Sequence, residues 1–362
     1  MAYVAEVSTS HTDERSEDRG SRDDESPDDR ARSCVREVRA RLETVAAELR
    51  AAASIELAPR APTVVRSTVV TGIGGSEGPA RLFAAAATTP TSSARFVPLS
   101  SFVSARPQAE RLVVISQGLS PNARLALRRS DDFAETIVVG AVDPDVTCDT
   151  SSAASDTERR ELARAFRDRG VALVTHGPPT ESGMLVRLVG PTVASSVALR
   201  LAAALGGAPF DAERAASAYA AARSTVDPIA LDAPLVLAAA GALTESLFGL
   251  RWKWLETFGA DPHVFDVLAC AHGPLQALYE RPATWLVFES PASEPLVGRL
   301  ARVLPPRHTL RRLRVSDDPA IAFFEATALL DAHLLATLAA RPRDLRRWPG
   351  RGADGPLYDL GS

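Results

Sequence analysis

Lysine is almost absent from this chain. Of 41 basic residues in 362, one is lysine, Lys253, and the rest are arginine. A guanidinium stays protonated at any working pH, so chemistry that needs a free amine must use Lys253 or the α-amino group. Cysteine is scarce too: Cys34, Cys148 and Cys270 are too few and too scattered for a disulfide framework, and none forms a CxxC pair. No uninterrupted run of about 18 apolar residues occurs, the alanine-rich stretches being broken by Arg, Pro and Gly, so no membrane span is expected. Residues 1–10 lack a basic segment leading into an apolar one, so no signal peptide is expected and the chain reads as a protein of the reducing cytoplasm. A net charge of −4 and a pI near 5.9 supply no basic field for nucleic acid.

What is present is an ordinary globular composition, 46% hydrophobic and 24% charged, in a length that suits two domains. The charge is uneven. Residues 1–32 carry ten acids against five arginines, and the remainder 35 against 36. Residues 9–32 are Ser, Asp, Glu and Arg with almost nothing to bury, so residues 1–32 are expected to be a disordered acidic tail, either a solvated leader or an interaction segment.

Residues 34–53 have helical spacing, with Val35, Val38, Leu42, Val45, Ala46 and Leu49 on one face. Beyond Pro59 and Pro62, short apolar runs alternate with helical stretches. Strands are expected over 67–73, 112–116, 136–142 and 171–175, with 184–189 as a candidate fifth. The helices between and after them fall over 76–87, 122–129, 156–167 and 192–205. A helix over 210–223 leads to a second round: strands over 234–239, 284–288 and 309–315, and helices over 243–257, 296–303 and 321–340. This alternation predicts an α/β protein of two tandem doubly wound parallel-sheet domains, 33–208 and 209–362.

Three constellations carry chemistry. The first strand ends in Gly72-Ile73-Gly74-Gly75-Ser76, where glycines between a strand and a helix let backbone N–H groups approach an anion. Ser76 equally suits a helix N-cap. The second strand ends in Ser116-Gln117-Gly118-Leu119-Ser120-Pro121, placing hydroxyls and an amide outside a strand's C-terminal end, where open parallel sheets bind ligands. Ser120 before Pro121 also reads as an N-cap with proline in the first helical position. The third is Gly249-Leu250-Arg251-Trp252-Lys253-Trp254-Leu255-Glu256, followed sixteen residues after Glu256 by His272-Gly273-Pro274.

On that third pattern the chain resembles the sugar isomerase (SIS) family. The likeness is to the tandem-SIS isomerase half of glutamine–fructose-6-phosphate aminotransferase and to related amino-sugar deaminases and deglycases. It covers roughly residues 35–350. The resemblance implies Glu256 as the base and acid that moves a proton between adjacent sugar carbons, and His272 as a ring-opening group that reaches the partner subunit's site in a homodimer. Lys253 would be the helix lysine near the sugar, and Gly75, Ser76, Ser116, Gln117 and Ser120 the holders of phosphate or sugar hydroxyls. The implied ligand is a phosphorylated sugar or amino sugar, handled without metal or organic cofactor. His176, His263, His308 and His333 show no metal-ligand spacing, and Trp252 and Trp254 are expected in the core or at a dimer contact.

The chain departs from the family in four places. Its tail reads Pro342-Arg343-Asp344-Leu345-Arg346-Arg347, with Arg347 where the aminotransferase has its imine-forming lysine, and an arginine forms no such imine. No glutamine-hydrolysing domain is expected ahead of the SIS pair. Gly118 and Pro121 replace usual phosphate donors, and the second glycine turn is reduced to Ala239-Ala240-Gly241. These departures point to proton-transfer chemistry, or to a module that binds a sugar phosphate and regulates a partner, rather than to amino-group transfer.

Overall fold

The computed structural model describes residues 25–57, 65–104, 107–146, 154–177, 181, 183–348, 350, 352–353, 355–358 and 360. Strands β1 (Ser67–Thr71), β2 (Ser93–Phe96), β3 (Arg111–Ile115), β4 (Glu135–Gly140) and β5 (Ala172–Thr175) form one sheet in the order β2-β1-β3-β4-β5. Strands β6 (Leu235–Ala239), β7 (His263–Asp266), β8 (Thr284–Glu289) and β9 (Thr309–Arg314) form the second in the order β7-β6-β8-β9. Every pairing is parallel, so the expected pair of doubly wound sheets is what the chain forms. In each sheet the strand order reverses once, between β1 and β3 and between β6 and β8.

The helices are α1 (Pro27–Ala53), α2 (Glu77–Ala87), α3 (Ser101–Ser104), α4 (Pro121–Leu127), α5 (Ala154–Asp168), α6 (Gly190–Ala204), α7 (Ala212–Ala222), α8 (Ala242–Phe258), α9 (Pro274–Ala277), α10 (Glu294–Val303), α11 (Pro319–Ala340) and α12 (Gly355–Tyr358). Sheet residues alternate between two cores. Val70, Val113 and Ile115 face inward with Leu237 and Phe288 of the other sheet, in one continuous core that includes α1, α2, α6, α7, α8 and α11. Val69, Leu112 and Val114 face a separate outer core, and Val236, Trp285 and Val287 a third. Strands buried on both faces explain why the sequence shows continuous apolar runs rather than alternation.

Several expectations shift. The tail was expected to run to residue 32, but α1 starts at Pro27, capped by Ser26, whose hydroxyl accepts from the Asp29 N–H at 3.1 Å. Asp28 and Asp29 sit in its first turn, where the helix dipole favours acids, so part of the acidic run belongs to a helix start. Residues 1–24 lie outside the described residues. Strands β2 and β7 were not expected. Both are edge strands, four residues long and only partly buried, which leaves no apolar run to see.

Residues 184–189 are not a strand. Met184, Val186 and Leu188 are buried, but their segment finds no strand neighbour. The buried carboxylate of Glu181 instead accepts from the N–H groups of Leu188, Val189 and Gly190 at 2.9–3.1 Å. That satisfies the donors at the start of α6 with a negative charge at its positive end.

Helix α11 escaped the search for apolar runs because Glu325 and Asp331 interrupt it. It is the one helix among the described residues long and apolar enough to cross a membrane, and 72% of its most apolar window is buried inside the protein. It packs against α1, α7 and α8 as the central helix of the shared core.

Helices α2 and α8, one from each half, cross at Gly78 and Gly249. A Cβ on Gly249 would lie 2.2 Å from Gly78 Cα, so only glycine permits this approach. Gly249→Ala is expected to push the halves apart and cost on the order of 1–3 kcal/mol. Urea unfolding would show a lowered midpoint at unchanged slope.

Candidate functional site

The two polar loops lie side by side at the C-terminal ends of β1 and β3, at the reversal of strand order where open α/β sheets bind ligands. Gly74–Ser76 forms a single 3₁₀ turn, with Gly74 at φ +59°. A Cβ on Gly75 would meet Pro191 Cγ at 2.8 Å, so this glycine lets the turn seat against the start of α6. Ser76 occupies the N-cap of α2 but makes no capping hydrogen bond. In the second loop the Ser116 hydroxyl is buried and accepts from the Ser120 N–H at 3.3 Å. Ser120 does cap α4, accepting from the Ala123 N–H at 3.4 Å. Leu119 between them has φ +49°, a left-handed conformation that costs a non-glycine residue strain. Gln117 presses against Gly190, and its Nε2 is buried with no hydrogen-bond partner among the described residues.

Across from the first turn stands Glu256 on α8. A Cβ on Gly74 would lie 3.9 Å from its Oε1. Glu256 lines a narrow cleft between the halves, together with Gly75, Arg187, Pro191, Thr192 and Lys253. Glu256 is half-buried as a residue, and protein surrounds most of its carboxyl. Burial therefore dominates and pushes the Glu256 pKa up to about 7. A hydrogen bond from the Arg187 backbone and the positive charge of its guanidinium act against that rise, and Glu181 adds to it. A carboxyl poised near neutrality can both accept and return a proton.

Lys253 lines the same cleft, but its ammonium is fully engaged. Nζ donates to Asp331 Oδ1 and Oδ2 at 2.9 and 3.0 Å and to Thr192 Oγ1 at 3.2 Å, which uses its three protons. Tyr219 also donates to Asp331, at 2.9 Å. All four side chains are buried. Held this way at the wall of the cleft, the lysine ties α8 to α6, α7 and α11. His272 ends a short 3₁₀ turn, is exposed, and does not line the Glu256 cleft of its own chain. Arg347 is exposed, and the tail around it is pinned to α1: Asp344 pairs with Arg30 at 3.0 Å, Arg346 with Glu37 at 2.6 Å, and Leu345 is buried.

Sequence reasoning missed Arg187 and Glu181. Both belong to the irregular stretch before α6, where no periodicity marks a site. Their only signal was the presence of charge in an otherwise apolar segment. Trp254 is buried in the core, whereas Trp252 lines the cleft and donates to Glu77 at 2.9 Å, joining α8 to α2. Among the described residues, no group of three or more His, Cys, Asp or Glu side chains could hold a metal ion.

No family model matches the chain, and no curated protein sequence matches it. Solved structures do. The C-terminal domain of glucosamine-fructose-6-phosphate aminotransferase from Francisella tularensis superposes with a TM-score of 0.56 at 10% identity, over 84% of this chain and 96% of that one. Tagatose-6-phosphate ketose/aldose isomerase from Escherichia coli gives 0.55 at 14% identity, over 87% and 92%. Glucosamine-6-phosphate deaminase from Thermotoga maritima gives 0.51 at 13% identity, over 88% and 96%. At these identities the likeness is one of fold, and that fold is the tandem-SIS arrangement of two parallel sheets.

Proposed function

We propose that this protein binds a sugar phosphate or amino-sugar phosphate at the β1–β3 reversal. There it catalyses isomerisation, deamination or deglycation by proton transfer through Glu256. The observation that carries this reading is the Glu256 carboxyl, raised to about 7 in a cleft between the halves, beside the serine turn. Ser76, Ser116, Gln117 and Ser120 would hold phosphate and hydroxyls, and Lys253 would act by fixing the helix that carries Glu256. All three reactions remove a proton from a carbon next to a carbonyl or imine, a task that suits a carboxylate base poised near neutral pH and calls for no free amine. The structures that share the fold are named for such phosphorylated sugars, which supports the substrate class.

The test is ammonia release and ketose formation with a panel of phosphorylated amino sugars, aldoses and Amadori compounds. Activity should rise as pH passes about 7, because the base must be ionised. A pH-independent rate across pH 6–8, or no turnover with any member, would remove the mechanism.

His272 is proposed to serve a second copy's cleft in a homodimer. Mixing Glu256→Gln and His272→Ala subunits should then restore about a quarter of wild-type activity, because a heterodimer holds one intact site. Mixed subunits as inactive as the parents would place His272 in its own chain's site, and a fully active His272→Ala parent would place it outside the chemistry.

A second reading, a non-catalytic module that binds a sugar phosphate and regulates a partner, is favoured by the engaged Lys253 and the narrow cleft. Such a module would be stabilised by a ligand it never consumes, by an amount that follows ligand concentration over Kd. Cys34 and Cys270, buried and free, fit the cytoplasmic setting of either reading.

A further inference from the structure

Two buried donors beside the serine loops have no hydrogen-bond partner among the described residues: Gln117 Nε2 and Arg187 Nη1. An unpaired guanidinium nitrogen in a largely apolar cleft is costly, and such groups are normally satisfied. The surrounding acids do not satisfy it. Glu181 spends its carboxylate on three backbone N–H groups, and although both Glu181 and Glu256 feel the guanidinium's charge, neither accepts a hydrogen bond from its Nη1. Lys253, the other cation of the cleft, is held by Asp331. Arg187 is thus the cleft's available positive charge, and it stands beside the group that moves the proton.

We propose that Arg187 is a further substrate-contacting residue, whose free guanidinium N–H holds the substrate's carbonyl oxygen as that oxygen becomes an enediolate. This deepens the proton-transfer reading of the cleft and rests on it. Glu256 takes the proton from the carbon next to the carbonyl. The C–H electron pair becomes the new C=C bond, and the carbonyl π pair moves onto the oxygen, where Arg187 meets the negative charge. Glu256 then returns its proton to the former carbonyl carbon. As it does so, the neighbouring hydroxyl gives its proton to the oxyanion and becomes the new carbonyl. No oxidant or co-reactant is consumed. The carbonyl end, rather than the phosphate, falls to Arg187 because the base must face the reacting carbon, and the serine loops already supply phosphate donors. Positive charge placed in advance where negative charge develops is worth about 10²–10³-fold in rate.

The experiment compares two probes by calorimetry: 6-phosphogluconate, whose carboxylate mimics the planar anion, and sorbitol 6-phosphate, which lacks it. Wild type should bind the acid at least about 10-fold tighter, as expected for a charge-assisted hydrogen bond. Arg187→Gln should erase that preference while binding sorbitol 6-phosphate as before, and Arg187→Lys should keep part of it. Unchanged melting of both variants would show that the fold is intact. Equal wild-type affinity for the two probes would overturn the proposal. So would equal loss of both in Arg187→Gln, which would move the arginine to the phosphate. If wild type binds neither probe, the sugar-phosphate reading itself fails, and this inference falls with it.

Discussion

Glu256→Gln is expected to lower turnover by about 10²–10⁴-fold, the usual worth of a positioned acid–base group, and at the same time to stabilise the protein at pH 8. The two effects share a cause. The folded protein holds this carboxyl at about 7 against an ordinary 4.5. Between those values the folded state keeps a proton that the unfolded chain gives up, so stability falls as pH rises from 4.5 through 7 and levels off above. A shift of that size corresponds to about 3 kcal/mol. Glutamine keeps the shape without the charge, so the variant should exceed wild type by about 3 kcal/mol at pH 8 and by about 1 kcal/mol at pH 5. Urea unfolding of both proteins at pH 5, 6, 7 and 8 reads the gap directly. A gap that does not widen with pH would mean that Glu256 ionises as in water, and the case for a neutral-pH base would go with it.

The fold was legible where burial leaves a continuous mark. β1, β3, β4, β6 and β8 are apolar on both faces, and the long helices carry clear apolar patterns, so both rounds of alternation stood out. The edges were not legible. β2 and β7 are partly solvated and short, and their pairing depends on neighbours distant in sequence. The stretch before α6 misled for the opposite reason: its buried side chains read as a strand, but Glu181 takes up the N–H groups that a sheet neighbour would otherwise pair. At the candidate site, the residues singled out by resemblance, Glu256 and the two serine loops, are near one another in the fold, brought there by strand ends and a helix face. The sequence could not show that Lys253 is engaged, because Asp331 and Tyr219 sit on other helices and have no motif of their own. Nor could it show Arg187, whose importance comes from a missing partner rather than from a pattern.

Lys253→Met is expected to cost about 3–5 kcal/mol, as for breaking one side of a buried ion pair, because it leaves the Asp331 charge uncompensated in the shared core. Burial pushes the Asp331 pKa up while Lys253 holds it down. Without the lysine, Asp331 can escape its penalty by taking a proton. The loss should therefore be largest at high pH and shrink as pH falls. Adding Asp331→Leu removes the stranded charge, and the double variant should recover most of the stability. A buried pair replaced by apolar groups of similar volume is often neutral or better. Tyr219 loses its acceptor in that background, so adding Tyr219→Phe should recover the remainder. The unfolding cycle of the two single variants and the double gives the coupling energy between the partners. Activity of the double variant then decides what the chain's one lysine does. If Lys253 only fixes α8 so that Glu256 faces the cleft, the apolar pair should keep turnover within about tenfold of wild type, less than the loss of an acid–base group. If its amine takes part in the reaction, the double variant should be as stable as wild type and inactive.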